Sequence, residues 1–148
     1  MTRAELLRFM REHPLAVQAS VSASGGAQAA VVGIVVTDEF EIVFDSESTS
    51  RKVNNLRRDP RIAFVVGGTA IGEERTVQYE GIADEPTGAE LRRLKELYFE
   101  LFPGGRERES WPGITYIRTK PTWIRYTDFN QGPPEIVEFD PVELGLSD

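Results

Sequence analysis

The sequence predicts a mainly β fold, an antiparallel barrel of about six or seven short strands with two or three helices at its edges. Three observations carry this. Several stretches of five to nine residues alternate apolar and polar side chains, the period of a strand with one buried face. Glycine pairs and acidic dipeptides punctuate them at hairpin spacing. The regular strand–helix–strand alternation of a parallel sheet is missing.

Taken in order, Thr2 and Glu5 have the spacing of a capping box and open a helix with Leu6, Leu7, Phe9 and Met10 on one side. His13-Pro14 stops it, with His13 as a cap or a surface residue. From Ala16 to Ser24, the row Ala16, Gln18, Ser20, Ser22 alternates with Val17, Ala19, Val21, Ala23, giving a half-buried strand that turns at Gly25-Gly26. The unbroken apolar run from Ala29 to Val36 predicts a strand covered on both faces. Gly33 within it marks a bulge or a close approach. Asp38-Glu39 turns the chain into Phe40–Phe44, so that three strands make a meander.

The polar stretch Asp45–Ser50 suits a turn and a helix N-cap, with Ser50 or Thr49 as the cap and Asp59-Pro60 as the stop. A strand over 61–66 ends at Gly67-Gly68, a loop spans 69–74, and Thr76–Ala83 is a strand with a bulge near Gly81. Thr87 and Glu90 suggest a second capping box. The helix that follows runs to about Phe102 and stripes Leu91, Leu94, Leu97, Tyr98 and Leu101 for packing. Arg106–Glu109 reads as a solvated charged loop. The last strands are 114–120 and 122–128, bent at Pro121. One domain over 1–130 is therefore expected, followed over 131–148 by an acidic tail with prolines and glycines, extended or poorly ordered.

Composition narrows the function. A chain of 148 residues holds one domain with a real core. Its net charge of −7 argues against a nucleic-acid partner, which needs a basic face. No cysteine and one histidine leave no thiolate or histidine-rich metal centre, so no metal site is expected. Neither a secretory leader nor an apolar run of membrane-spanning length stands in the sequence, so no membrane partner and a cytoplasmic location are expected. No Ser/His/Asp set, HExxH or Walker glycine loop is present. An enzyme built without such side chains relies on a cofactor for its chemistry, and no catalytic side chain stands out.

Arg51 and Lys52 fall in the first turn after the cap, where the helix already carries partial positive charge. Each cation there costs about 0.3–1 kcal/mol. Two readings stand: solvated surface charges beside Asp45 and Glu47, or a seat for an anion such as a phosphate.

The run from Phe44 through Ser50-Arg51-Lys52 to Leu56, Asp59-Pro60-Arg61 and the next apolar strand resembles the pyridoxamine 5'-phosphate oxidase-like family of FMN-binding split barrels, over most of residues 5–128. The resemblance implies a six-stranded antiparallel split β-barrel and an FMN-dependent oxidoreductase. It implies a homodimer with flavin at the interface and a small-molecule substrate. Deazaflavin or haem are the alternative cofactors on this fold, and a non-catalytic binding or sensing protein the alternative role. Arg57, Arg58 and Arg61 could serve a deazaflavin's longer anionic tail. It places the phosphate on Arg51 and Lys52 with Ser50 assisting, and Asp45 and Ser46 near the ribityl or phosphate region. The strand Ala30–Val35, with Val31, Val32 and Gly33, would lie along the ring. Thr76 or Gln78 would offer a polar contact. Trp123, with Arg125 and Tyr126, would reach the partner's cofactor, or Trp123 would be a core or interface aromatic. Trp111 could roof a pocket. The family's C-terminal Arg-x-His segment is absent from Trp123–Gln131, so the implied reaction is flavin chemistry on a substrate other than vitamin B6.

Overall fold

The computed structural model describes residues 1–146. The chain lays down α1 (Arg3–Arg11), β1 (Leu15–Val21), β2 (Ala27–Gly33), β3 (Val35–Val36), β4 (Ile42–Glu47), α2 (Arg51–Arg58), β5 (Arg61–Gly67), β6 (Arg75–Asp84), α3 (Gly88–Leu101), α4 (Gly105–Arg108), β7 (Ile114–Asp128) and β8 (Glu135–Phe139). The strands form one antiparallel sheet in the order β2-β1-β5-β6-β7-β4-β3, with β8 added to β7. The first and last strands of that order are neighbours in sequence, joined at Ile34, so the chain itself brings the two ends of the curled sheet together. This is a mainly β split barrel, with eight strands rather than six.

Local rules explain most boundaries. Thr2 and Glu5 close the capping box reciprocally, and His13 caps α1 by placing Nδ1 2.8 Å from the Phe9 carbonyl. The bulge in β6 sits between Glu80 and Gly81, opposite Pro121 in the continuous strand β7. The second capping box does not form: Thr87 makes no side-chain cap, and the Glu90 carboxylate that would reach back to the Thr87 N–H is instead held by Arg93 (2.7 Å) and Arg118 (3.0 Å). The expected charged loop at 106–109 contains α4 instead, held by Arg108 on Asp45.

The apolar run 29–36 is not one doubly covered strand, and the meander is not formed. β2 ends at Gly33, where the ring of Phe102 packs so closely that a Cβ would lie 2.8 Å from it. Ile34 donates its N–H to the Pro14 carbonyl, and β3 then pairs with β4, which runs beside β7. β2 is left as an edge strand with Val31 66 % exposed.

Two cores result. Leu6, Phe9, Met10, Ile34, Phe40, Phe44, Phe64, Val77, Tyr79, Ile117 and Ile124 fill the barrel. Phe64 meets Phe44 and Tyr79 edge to face at 6.0 and 5.7 Å. Val35, Val43, Leu94, Tyr98, Phe99 and Tyr116 form a second cluster between the β3–β4 side and α3. Of the predicted helix stripe, Leu94 and Tyr98 are buried, Phe99 joins them, and Leu101 is 47 % exposed.

All four tyrosines are held neutral beyond their usual range. Burial, then the charge of Asp45, pushes Tyr98 and Tyr116 up to about 12. Burial also raises Tyr79 and Tyr126. An unfolded tyrosine ionises near 10, so the stability these phenols contribute is complete below about pH 10 and is lost as pH climbs through about 12. Absorbance at 295 nm should therefore show little tyrosinate at pH 10 and a rise that coincides with unfolding. Full tyrosinate absorbance at pH 10.5 with the fold intact would contradict the burial.

The tail is the largest departure from expectation. β7 is long: β4 covers one edge only over 114–119, which leaves the edge at 124–128 unpaired. β8 fills it, pairing Ile124 with Phe139 and Asp128 with Glu135. Phe139 and Leu144 are buried in the barrel core. Ser147 and Asp148 lie outside the described residues. No described helix is long and apolar enough to cross a membrane.

Candidate functional site

Strand β1 turns its polar row inward. Ala16, Gln18 and Ser20 are buried, while Val17, Ala19 and Val21 are half-buried on the outside. Gln18 faces Ala30 and Ser20 faces Gln28 across the β1–β2 hairpin. Helix α2 lies over this end of the sheet: buried Asn55 donates Nδ2 to Ser20 Oγ at 3.1 Å. Between the hairpin and the start of α2 is a cavity of about 250 Å³ lined by Gln18, Ser20, Gln28, Ala29, Ala30, Arg51 and Lys52.

Its electrostatics are positive. Ser50 is the N-cap, its Oγ accepting from the Val53 N–H at 3.3 Å and lying 3.0 Å from Ser46 Oγ. The N–H groups of Arg51 and Lys52, at the first two helical positions, have no intrahelical acceptor. The first turn holds no acidic residue. Among the described residues neither Arg51 nor Lys52 forms an ion pair. Arg51 instead packs its guanidinium on the neutral amide of Gln28, whose oxygen, turned toward it, accepts from Nε (2.9 Å) and Nη1 (3.0 Å). Gln18 adds a second unmatched group, since its Oε1 is buried with no hydrogen-bond partner.

The reading of these cations as neighbours of Asp45 does not describe the structure. Along β4, Phe44 and Ser46 face the barrel side, whereas Val43 and Asp45 face the second core. Asp45 accepts from Tyr98 Oη at 2.9 Å and from Arg108 Nε at 3.0 Å. It is thus committed to α3 and α4 and does not line the cavity. Period-2 alternation separates two residues that the sequence places side by side.

The other sequence-derived candidates divide among four surroundings. Ala30 lines the cavity. Val32 belongs to the barrel core, Gly33 lies under Phe102, and Val35 joins the second core, so these three do not line it. Val31 stands on the outer face, in a row with Val17 of β1 and Val65 of β5. Thr76 and Gln78 line a separate groove with Arg125 and Thr127. Trp123 is half-buried opposite Glu80, and Trp111 is 49 % exposed. Three strand steps, roughly 14 Å, separate β2 from β6. A single protomer therefore does not bring Thr76 or Gln78 to Arg51.

Sequence reasoning passed over Gln18, Ser20, Gln28 and Asn55. The signal for the first two was present: uncharged polar residues at alternate positions of a strand that is otherwise apolar. Arg57, Arg58 and Arg61, by contrast, are engaged elsewhere. Arg57 pairs with Glu85 at 2.8 Å, and Arg58 donates to the Val21 carbonyl at 2.6 Å. Arg61 binds Asp59, whose carboxyl is lowered to about 2 by that hydrogen bond. No group of three or more potential metal ligands exists among the described residues.

Fold and cavity together define a class: a split barrel with a cation-lined corner where a helix start meets a hairpin. Residues 2–128 match the pyridoxamine 5'-phosphate oxidase family, and the chain belongs to it. A comparison with curated proteins gives no match. Among solved structures, the chain is similar to a haem-binding protein from Mycobacterium smegmatis, with a TM-score of 0.83 at 14 % identity, covering 97 % of this chain and 60 % of that one. It is similar to a Listeria innocua protein assigned as a pyridoxamine 5'-phosphate oxidase, with a TM-score of 0.71 at 18 % identity, covering 87 % and 98 %. It is also similar to the haem storage protein of Vibrio cholerae, with a TM-score of 0.70 at 14 % identity, covering 97 % and 99 %. The chain thus spans three-fifths of the first of these proteins. At these identities the likeness concerns the fold.

Proposed function

We propose that the chain binds FMN and acts as a flavin-dependent oxidoreductase on a small substrate, as a homodimer. The observation that carries the reading is the pair Arg51–Lys52 at a helix start, unmatched by any carboxylate among the described residues and adjoining a buried amide oxygen without a donor. A ligand suited to this corner has an anionic end for the cations and an O–H or N–H donor for Gln18. FMN offers both, in its phosphate and its ribityl hydroxyls. When bound, flavin supplies hydride acceptance and donation. The chain's own part is to hold the phosphate with Arg51, Lys52 and the first-turn N–H groups, and to orient Arg51 through Gln28.

A cavity of about 250 Å³ is smaller than the roughly 300–1,000 Å³ of ordinary small-molecule sites, so it can house one end of a flavin and not the whole. The remainder needs a cover. Val31, Leu15 and Val65, at 66, 61 and 43 % exposed, form part of an apolar outer face on β2, β1 and β5, and a second copy of the chain is the proposed cover. Such a dimer would also supply Thr76, Gln78 or Trp123 to the partner's flavin.

Haem is the second reading, favoured by what two structural neighbours bind. The lining of the Arg51 cavity contains no histidine, tyrosine, methionine or cysteine to serve as an axial ligand, and the single histidine is hydrogen-bonded at the end of α1. A deazaflavin tail finds Arg57, Arg58 and Arg61 already paired.

Titration with FMN tests the proposal. Flavin fluorescence should be quenched to a saturating stoichiometry of one per chain, and the complex should bleach under anaerobic NADH or NADPH. Protein that never takes up FMN but develops a Soret band with haemin would overturn it in favour of the second reading. Uptake without bleaching by any donor would leave a flavin-binding protein and remove the oxidoreductase.

A further inference from the structure

Strand β3 ends the sheet with one edge uncovered. Its register pairs Val35 with Val43, and Thr37 donates its N–H to the Glu41 carbonyl at 2.9 Å. Alternation therefore turns the N–H and C=O of Val36 away from β4. On that outer side Ile34 gives its N–H to the Pro14 carbonyl at 2.7 Å. Proline has no N–H to return, so the Ile34 carbonyl gains no partner from β1. The Val36 carbonyl is taken by Arg11 Nε at 2.9 Å. The edge thus keeps one acceptor, the Ile34 carbonyl, and one donor, the Val36 N–H, without a partner among the described residues.

Those two groups match one residue of a parallel strand. A residue opposite Val35 in parallel register donates its N–H to the Ile34 carbonyl and accepts the Val36 N–H on its own carbonyl. An antiparallel strand needs both groups of Val36, and Arg11 already holds one. Beside the edge runs a trough of about 450 Å³, between Arg11 of α1 and Leu97, Glu100 and Leu101 of α3. Ile34 and Val36 bury their side chains in the barrel core, so they meet the trough through their backbone. The side chain of a residue paired with Val35 falls on the α3 side, where Leu97 is half-buried and Leu101 is 47 % exposed. Glu100 is exposed there and forms no ion pair among the described residues, and the whole chain carries −7. Both charges favour a basic occupant.

We propose that the β3 edge binds an extended basic segment of a partner protein by strand addition. One apolar residue of the segment pairs opposite Val35 and packs on Leu97 and Leu101. A lysine or arginine two positions away, on the same face of the added strand, meets Glu100. Backbone hydrogen bonds give such a contact its affinity, and the trough and the acid select the side chains. The trough shares no lining residue with the Arg51 cavity or with the groove of Thr76 and Gln78, and it excludes Leu15, Val31 and Val65. It therefore stands whether or not FMN is the cofactor.

The blocked peptide acetyl-Lys-Thr-Leu-Thr-Lys-amide is the probe, followed by two-dimensional ¹H–¹⁵N spectra of the labelled full chain. Saturable shifts are expected at the Val36 amide and along 97–101, with slower hydrogen exchange at Val36. Methylating the peptide's leucine nitrogen removes the donor for Ile34 and should weaken binding at least about tenfold. Glu100→Lys, at an exposed position, should weaken it as much with an unchanged thermal melt, while the Arg51→Ala/Lys52→Ala variant should bind it as the native protein does. Four results would each overturn the proposal. They are no saturable shift at Val36; equal binding of the methylated peptide; undiminished binding in Glu100→Lys; or a Val36 signal that moves on dilution of the protein alone, which would give the edge to a second copy.

Discussion

The Arg51→Ala/Lys52→Ala double variant is expected to bind FMN about 10²–10⁴-fold more weakly than the native chain while folding as well or better. Each charge-assisted contact to a phosphate contributes about 1.5–3 kcal/mol, so losing both removes about 3–6 kcal/mol of affinity. The fold has little to lose. Neither cation has a carboxylate partner among the described residues, Arg51 is exposed, and α2 keeps its Ser50 cap. Both cations sit at the positively polarised end of a helix, so their removal relieves about 0.3–1 kcal/mol each at low salt. Fluorescence titration read beside a thermal melt separates the two effects. Unchanged affinity would mean that the phosphate is seated elsewhere. A lost affinity with an equally lost melt would mean that the cations are structural.

Leu144→Ala is expected to destabilise the protein by about 2–5 kcal/mol, a core-sized loss from a residue in the acidic tail. Leu144 is 1 % exposed and packs within the barrel core together with Phe139. Its backbone N–H reaches the Asp140 carbonyl at 3.1 Å, which closes the turn after β8. Ile136 on the same tail points outward, 47 % exposed, and its replacement by alanine should cost under about 1 kcal/mol. Urea denaturation of the two variants makes the comparison, with the midpoint falling for Leu144→Ala and the slope preserved. Equal small effects would show that the tail does not complete the core.

The tail illustrates how legible the chain was. Val137 and Phe139 turn inward and Ile136 and Glu138 outward, yet in the sequence only Val137-Glu138-Phe139 alternates apolar with polar. The prolines, glycines and acids around it outweighed so short a pattern. What gave the segment a place was the unpaired half of β7, and the length of β7 relative to β4 is a property of the sheet. The apolar run 29–36 shows the same limit. Its hydrophobicity was read as one strand covered on both faces, whereas Phe102, brought from the far end of α3, meets it at Gly33 and the chain changes neighbours at Ile34. At the candidate site, Ser50, Arg51 and Lys52 were legible because capping and the helix dipole act within a few residues. Gln18 and Gln28 were not, because they reach Arg51 only after β1, β2 and α2 have packed.

The sequence by itself determined the mainly β class, the capped helices, the bulge at Gly81 and two cations misplaced at a helix start, all consequences of interactions between residues a few positions apart. Only the tertiary structure decided that Asp45 turns away to Arg108 and that Gln18 is buried beside Arg51 without a donor. Those facts depend on which strands become neighbours, and neighbour choice is settled by burying the whole sheet at once rather than by any stretch of it.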